Sequence, residues 1–187
     1  MKYCNYIVVP LILFSLLPSC KTQTAKAESH ISSTSIILGQ INHIDTSLYQ
    51  ITKYETNNNI VDTTYISRDI FRVEAKPFLE LADITNEKML SKYKEEKIVD
   101  TEQSTLSIIH TALNENLEIQ KQIMIVDIQD PENAKVVSIY IDKIIIDNNT
   151  STQLRLFWQL DSYFQIATIT QSKTFPEQLK LVRITWK

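Results

Sequence analysis

The stretch Val136-Val137-Ser138-Ile139-Tyr140-Ile141-Asp142-Lys143-Ile144-Ile145-Ile146, then Asp147-Asn148-Asn149-Thr150-Ser151, then Gln153-Leu154-Arg155-Leu156-Phe157-Trp158-Gln159-Leu160, decides how this chain is built. Both long runs are rich in β-branched and aromatic residues, which fit a pleated, half-buried surface. Between them lies a short polar connection, enough for a hairpin and too short for a parallel crossover, which needs a dozen residues or more. In the second run Leu154, Leu156, Trp158 and Leu160 share one parity and Arg155, Phe157 and Gln159 the other, so one side is expected to face a core.

The same texture spreads outward. Lys97-Ile98-Val99, Thr105 to Ala112, Leu117 to Ile128, Tyr163 to Gln171 and Gln178 to Trp186 read as further strands, separated by Asn114-Glu115-Asn116, Asp130 to Asn133, Asp161-Ser162 and Lys173 to Glu177. This predicts an antiparallel meander of six to seven strands, and strands of ten residues or more, in a twisted sheet, bend around something.

The filler is expected from the first half. Ile37, Ile41, Ile44, Leu48 and Ile51 step by helical spacing, with a start between about Ser35 and Asp45, and Asn57-Asn58-Asn59 reads as the helix stop. After Asp62 to Ser67, Ser67 is a natural N-cap for a helix whose stripe runs Ile70, Phe71, Val73, Glu74, Phe78 and Leu81, and which Pro77 should kink or end. Thr85 can cap a short third helix over Asn86 to Tyr93. The expected fold is therefore α+β: two or three N-terminal helices packed on a curved antiparallel meander sheet.

Composition works mainly by exclusion. The chain of 187 residues has one glycine, Gly39, so phosphate loops, dinucleotide fingerprints, nucleophile elbows and EF-hand loops, all built on glycine, cannot be written in it. Fifteen lysines against four arginines suit an AT-rich coding bias, which also depresses glycine, and asparagine and aspartate are left to make the turns. A net charge of −3 without a basic run gives no footprint for nucleic acid.

Residues Met1 to Cys20 read as an export signal: Lys2, an apolar run from Tyr6 to Leu17 too short to cross a bilayer, then Leu17-Pro18-Ser19-Cys20. That ending resembles the lipobox of bacterial lipoproteins, with Pro18 departing from the commonest residue at its position. The resemblance implies cleavage after residue 19, acylation of Cys20 with palmitate-type chains, and attachment to membrane lipid. With Cys4 inside the signal, no thiol pair remains for a disulfide or a zinc site. The expected organisation is a signal peptide over 1–19, a tether over 20–35 and one domain over 36–187. No acidic cluster follows Cys20, which in lipoproteins of the Bacteroidota implies an outer-membrane anchor facing the periplasm. Asp62-Thr63-Thr64-Tyr65-Ile66-Ser67, Pro77-Phe78-Leu79, Leu156-Phe157-Trp158 and Phe164-Gln165-Ile166 are together similar to small Bacteroidota lipoproteins, a resemblance that implies no activity.

Catalytic candidates are sparse. His30 falls in the tether, His43 on the polar side of the first helix and His110 in a strand, none with a histidine at metal spacing or a nucleophile motif. Asp127, Asp130 and Glu132 read as a charged hairpin tip, Lys92 to Lys97 as a solvated connector of mixed sign, and the sequons at Asn148 to Ser151 as a polar turn. No metal, cofactor or catalytic residue is expected. The aromatic set Tyr140, Phe157, Trp158, Tyr163, Phe164 and Trp186 is the remaining hint of a groove for a lipid, a peptide or another envelope protein, and an edge strand is a further means of recruiting a partner. The expected function is a lipid-anchored envelope protein with a non-enzymatic binding or assembly role; the alternative is a small envelope hydrolase.

Overall fold

The structure, a computed structural model, describes residues 30–57, 60–147 and 149–187. The elements run α1 (Ser33–Thr46), β1 (Ile51–Asn57), β2 (Ile60–Tyr65), α2 (Arg68–Leu79), α3 (Glu87–Leu90), β3 (Tyr93–Asp100), β4 (Thr105–Ala112), β5 (Ile119–Asp127), a 3-10 turn (Pro131–Asn133), β6 (Lys135–Asp147), β7 (Thr150–Gln159), β8 (Tyr163–Ser172) and β9 (Gln178–Trp186). The strands form one nine-stranded sheet in the order β2-β1-β9-β8-β7-β6-β5-β4-β3, antiparallel throughout.

This corrects the expected fold class in two respects. The sheet has nine strands where six to seven were expected, and the helices are short and do not precede the sheet as a block, because the β1–β2 hairpin separates α1 from α2. The helical stripe carried too far: α1 ends at Thr46, Ser47 turns extended as its C-cap, and Leu48 is fully exposed. Ile51 does reach the core, as the first inward residue of a strand in which Thr52, Tyr54 and Thr56 alternate with Lys53 and Glu55. Asn57 closes β1 of a hairpin instead of stopping a helix, and Asn58 and Asn59 lie outside the described residues. The third helix is a single turn capped by Asn86, whose side chain accepts from the Lys88 N–H at 3.1 Å; the Thr85 hydroxyl donates to Asp83 at 2.6 Å. β3 takes over from Tyr93, so the mixed-charge run Lys92 to Lys97 is largely strand.

α1 and α2 cover one face of the sheet. α1 is capped by Ser32 and turns Ser33, Ile37, Ile41 and Ile44 inward; α2 is capped by Ser67, runs through Pro77, and turns Phe71, Ala75 and Phe78 inward. Cross-strand register sets two rows beneath them. One runs Lys53, Ile184, Phe164, Trp158, Ile139, Met124, Ile108, Lys97; the next runs Glu55, Val182, Ile166, Leu156, Ile141, Gln122, His110, Glu95. Each is apolar in the middle and charged at both ends; at the β1 end Glu74 of α2 meets Lys53 at 2.6 Å. Leu156 and Trp158 are fully buried, and Leu154 and Leu160 pack against the same core, as the alternation required. Phe78 meets Trp158 edge-on at 5.1 Å and Phe164 at 5.3 Å, and Phe71 meets Trp186 edge-on at 5.7 Å, geometries aromatic quadrupoles favour.

Among the described residues the left-handed conformation that favours glycine is taken by Ser104, at φ 52°, and by Asp161. Asp161 sits at φ 57° between β7 and β8, a left-handed conformation that aspartate tolerates better than most residues. Gln40 of α1 clasps that turn, accepting from the Asp161 N–H and donating to its carboxylate, both at 2.9 Å. The β5–β6 pairing shifts register between Ile119 and Lys121 and between Ile125 and Val126, the local signature of β-bulges.

Candidate functional site

Where the helices stop short of β3 and β4, the covered face holds a cavity of about 270 Å³ lined by His30, Ile31, Thr85, Glu95, Lys97, Leu106, Ile108, His110 and Met124. Strand parity puts its chemistry on one side: Glu95 and Lys97 from β3 face the same way as Leu106, Ile108 and His110 from β4 and Met124 from β5. The chain entering α1 closes the cavity with His30 and Ile31.

The Glu95 carboxylate is the hub. Its Oε2 lies 3.0 Å from His110 Nε2 and 3.6 Å from His30 Nδ1, and its Oε1 lies 3.0 Å from Lys97 Nζ. Burial pushes the Glu95 carboxyl up, but Lys97 and then His110 outweigh it and hold the group below the usual carboxylate range. His110 is almost wholly buried, and that burial, exceeding the opposite pull of Glu95, lowers its pKa. At neutral pH the pair is therefore a neutral imidazole donating its Nε2–H to a charged carboxylate. This tautomer makes Nδ1 an acceptor.

That Nδ1 has no hydrogen-bond partner among the described residues, nor has Nε2 of Gln122, the residue beside His110 in the same row. Gln122 is itself held by the Ser33 hydroxyl, which donates to its Oε1 at 2.8 Å. The corner thus holds one buried acceptor on His110, which lines the cavity, and one buried donor on Gln122, which does not. Such unpaired groups each cost on the order of 1–3 kcal/mol. A hydroxyl that reached the His110 Nδ1 would donate to it.

The structure separates the other candidates. His43 is exposed and packs edge-on against Tyr49 at 5.9 Å. Asp130 caps the 3-10 turn, accepting from the Glu132 N–H at 3.1 Å and the Asn133 amide at 2.7 Å, so it works as a turn residue. No cluster of three or more His, Cys, Asp or Glu able to hold a metal occurs among the described residues. The aromatic set divides by parity: Trp158, Phe164 and Trp186 go to the core, while Tyr140, Phe157 and Tyr163 lie on the uncovered face. There Phe157 and Tyr163 are 5.7 Å apart and the Arg183 guanidinium sits 4.1 Å over the Tyr163 ring. Cys20 lies outside the described residues.

Glu95, Lys97 and Gln122 were not singled out by sequence. Lys94-Glu95-Glu96-Lys97 reads as a solvated charge run until β3 is extended back to Tyr93, when parity turns Glu95 and Lys97 to the side of His110. No described helix is long and apolar enough to cross a membrane. No family model matches the chain, and it matches neither a curated protein nor a solved structure.

Proposed function

We propose that this chain is a lipid-anchored cell-envelope protein whose folded domain binds a small, mostly apolar molecule carrying a hydroxyl or similar group. The observation behind this reading is the cavity under His30 and Ile31, whose lining joins Leu106, Ile108 and Met124 to His110, a buried histidine whose Nδ1 has no hydrogen-bond partner among the described residues. Ligand pockets are commonly apolar with a few placed polar groups. The anchor half of the proposal rests on the lipobox-like ending at Cys20: two or more acyl chains hold a protein to membrane lipid where one does not, and the expected site is the outer membrane, facing the periplasm.

The Glu95–His110 pair is what a hydrolase would use to orient a base, and it keeps that second reading open to test. The hydroxyl it would need is engaged elsewhere in the case of Ser33, which donates to Gln122.

N-phenyl-1-naphthylamine, an apolar probe with one N–H donor, tests the cavity. Saturable fluorescence enhancement is expected for the full chain and is expected to be lost in Ile108→Trp, which fills the space; an unchanged signal in that variant refutes the cavity as a binding site. Labelling cells with an alkynyl palmitate tests the anchor. Label and membrane retention should vanish in Cys20→Ala, and retention of both refutes it.

A further inference from the structure

The two edges of the sheet are built in opposite ways. β3, at one edge, carries five charged residues in eight: Lys94, Glu95, Glu96, Lys97 and Asp100. Charges of this kind blunt an edge against pairing with another chain. β2, at the other edge, is Ile60-Val61-Asp62-Thr63-Thr64-Tyr65, all exposed, with one charge and neither lysine nor proline. Ile60, Val61 and Tyr65 are 73%, 60% and 71% accessible, and Ile70 of α2, 47% accessible, overhangs the same edge beside Asp62 and Thr64.

Hydrogen-bond parity fixes what the β2 edge offers. The Ile66 N–H donates to the Ile51 carbonyl at 3.0 Å, so 66 and 51 form a hydrogen-bonded pair, and by alternation Thr64, Asp62 and Ile60 turn their backbone groups to β1. The N–H and C=O groups of Val61, Thr63 and Tyr65 therefore point outward.

We propose that β2 pairs antiparallel with β2 of a second copy about a two-fold axis at Thr63, joining two sheets into one. Symmetry requires the outward groups of the two copies to meet, which restricts the centre to registers that pair odd residues with odd. Centring on Asp62 sets two aspartates directly opposite and is disfavoured. Centring on Thr63 puts Thr63 opposite its own copy, Val61 opposite Tyr65 and Asp62 opposite Thr64, so no like charges meet, the valine faces an aromatic and the aspartate faces a hydroxyl. A symmetric pairing of this kind closes at two copies. One strand pair buries less than the roughly 1,600 Å² of a standard interface, so the dimer is weak and reversible.

Thr63→Pro is the probe, because the Thr63 N–H faces outward and its loss leaves the β1–β2 ladder intact. Sedimentation of the full-length chain in detergent should show concentration-dependent dimerisation, weakened about tenfold or more by Thr63→Pro, with unchanged thermal unfolding, and unaffected by Val99→Pro on the charged β3 edge. Should the proline disturb folding, Thr63→Lys, which sets two ammonium groups opposite across the axis, gives the same reading. With Cys4 and Cys20 replaced by serine, Thr63→Cys should oxidise to a covalent dimer, since facing Cα atoms in such a pair lie about 5.5 Å apart. A chain monomeric at all concentrations, association as strong in both Thr63 variants as in the native chain, or weakening by Val99→Pro alone would overturn the proposal.

Discussion

Replacing Glu55 with glutamine isolates one electrostatic contribution whose size the geometry sets. Glu55 Oε2 lies 2.7 Å from Lys53 Nζ and Oε1 lies 2.8 Å from Lys180 Nζ, and the Asn57 amide donates to Oε1 at 3.0 Å. These contacts, Lys180 first, then Lys53 and Asn57, hold the Glu55 carboxyl at about 2 in place of the usual 4.5. The difference corresponds to a ceiling of about 3.4 kcal/mol. Lys180 is half exposed, so solvent screening and side-chain entropy reduce the expected effect to about 1–2 kcal/mol. Glutamine leaves Lys53 paired with Glu74 at 2.6 Å, so the substitution does not orphan the lysine. A carboxyl whose folded pKa is depressed stabilises fully above about 4.5 and loses that contribution as pH falls through about 2. Urea unfolding at pH 7 should therefore show Glu55→Gln weaker than the native chain by about 1–2 kcal/mol, with the gap shrinking steadily between pH 4.5 and 2. Equal stability at pH 7, or a gap that does not change with pH, refutes the reasoning.

Three further outcomes follow from named contacts. Phe78→Ala removes a fully buried ring that meets both Trp158 and Phe164, and should cost about 3–5 kcal/mol in chemical denaturation. Ser67→Ala removes the oxygen that accepts from the Ile70 N–H at 3.3 Å at the start of α2; the expected loss is about 1 kcal/mol by the same measurement. Burial lowers the His110 pKa below the ordinary 6.5, so this histidine stabilises the fold least in acid: the unfolded chain takes up its proton first, and stability falls as pH drops below 6.5. An NMR titration should place the His110 midpoint below 6.5, and His110→Gln should flatten the loss of thermal stability below that pH.

Alternation was the most legible signal because it is local and survives any arrangement of neighbours. It places β4 at Thr105 to Ala112 and sends Leu156 and Trp158 inward, both as observed. It failed where two periods coincide. Ile51 lies on the helical stripe of α1 and is also the first inward residue of β1, so the stripe absorbed a strand, and with it the hairpin that sets one edge of the sheet. Leu48, on the same stripe, is left in solvent by the junction between α1 and β1. The polar corner was hidden for a related reason. Lys92 to Lys97 looks solvated as a string of charges, yet every second residue of an edge strand can turn toward the core side, and Glu95 does so beside His110.

The same geometry explains why function is harder to read here than fold. Both cross-strand rows end in charged residues: Lys53 and Glu55 on one side, Glu95 and Lys97 on the other. At the first end the charges answer one another within the fold, through Glu74 and Lys180. At the second end they do not account for all the buried polar atoms, because His110 Nδ1 and Gln122 Nε2 remain unpaired among the described residues. Two corners of the same composition thus differ in whether their hydrogen bonds close. Composition and spacing cannot register that difference, since it depends on which groups meet across β3, β4 and β5 beneath the start of α1. A fold tolerates an unclosed corner only at a cost of on the order of 1–3 kcal/mol per group, and a bound hydroxyl that donated to His110 Nδ1 would return that group's cost as affinity. The Glu55 corner has no such reserve, so stabilisation by a ligand is expected to be abolished by His110→Phe and left intact by Glu55→Gln.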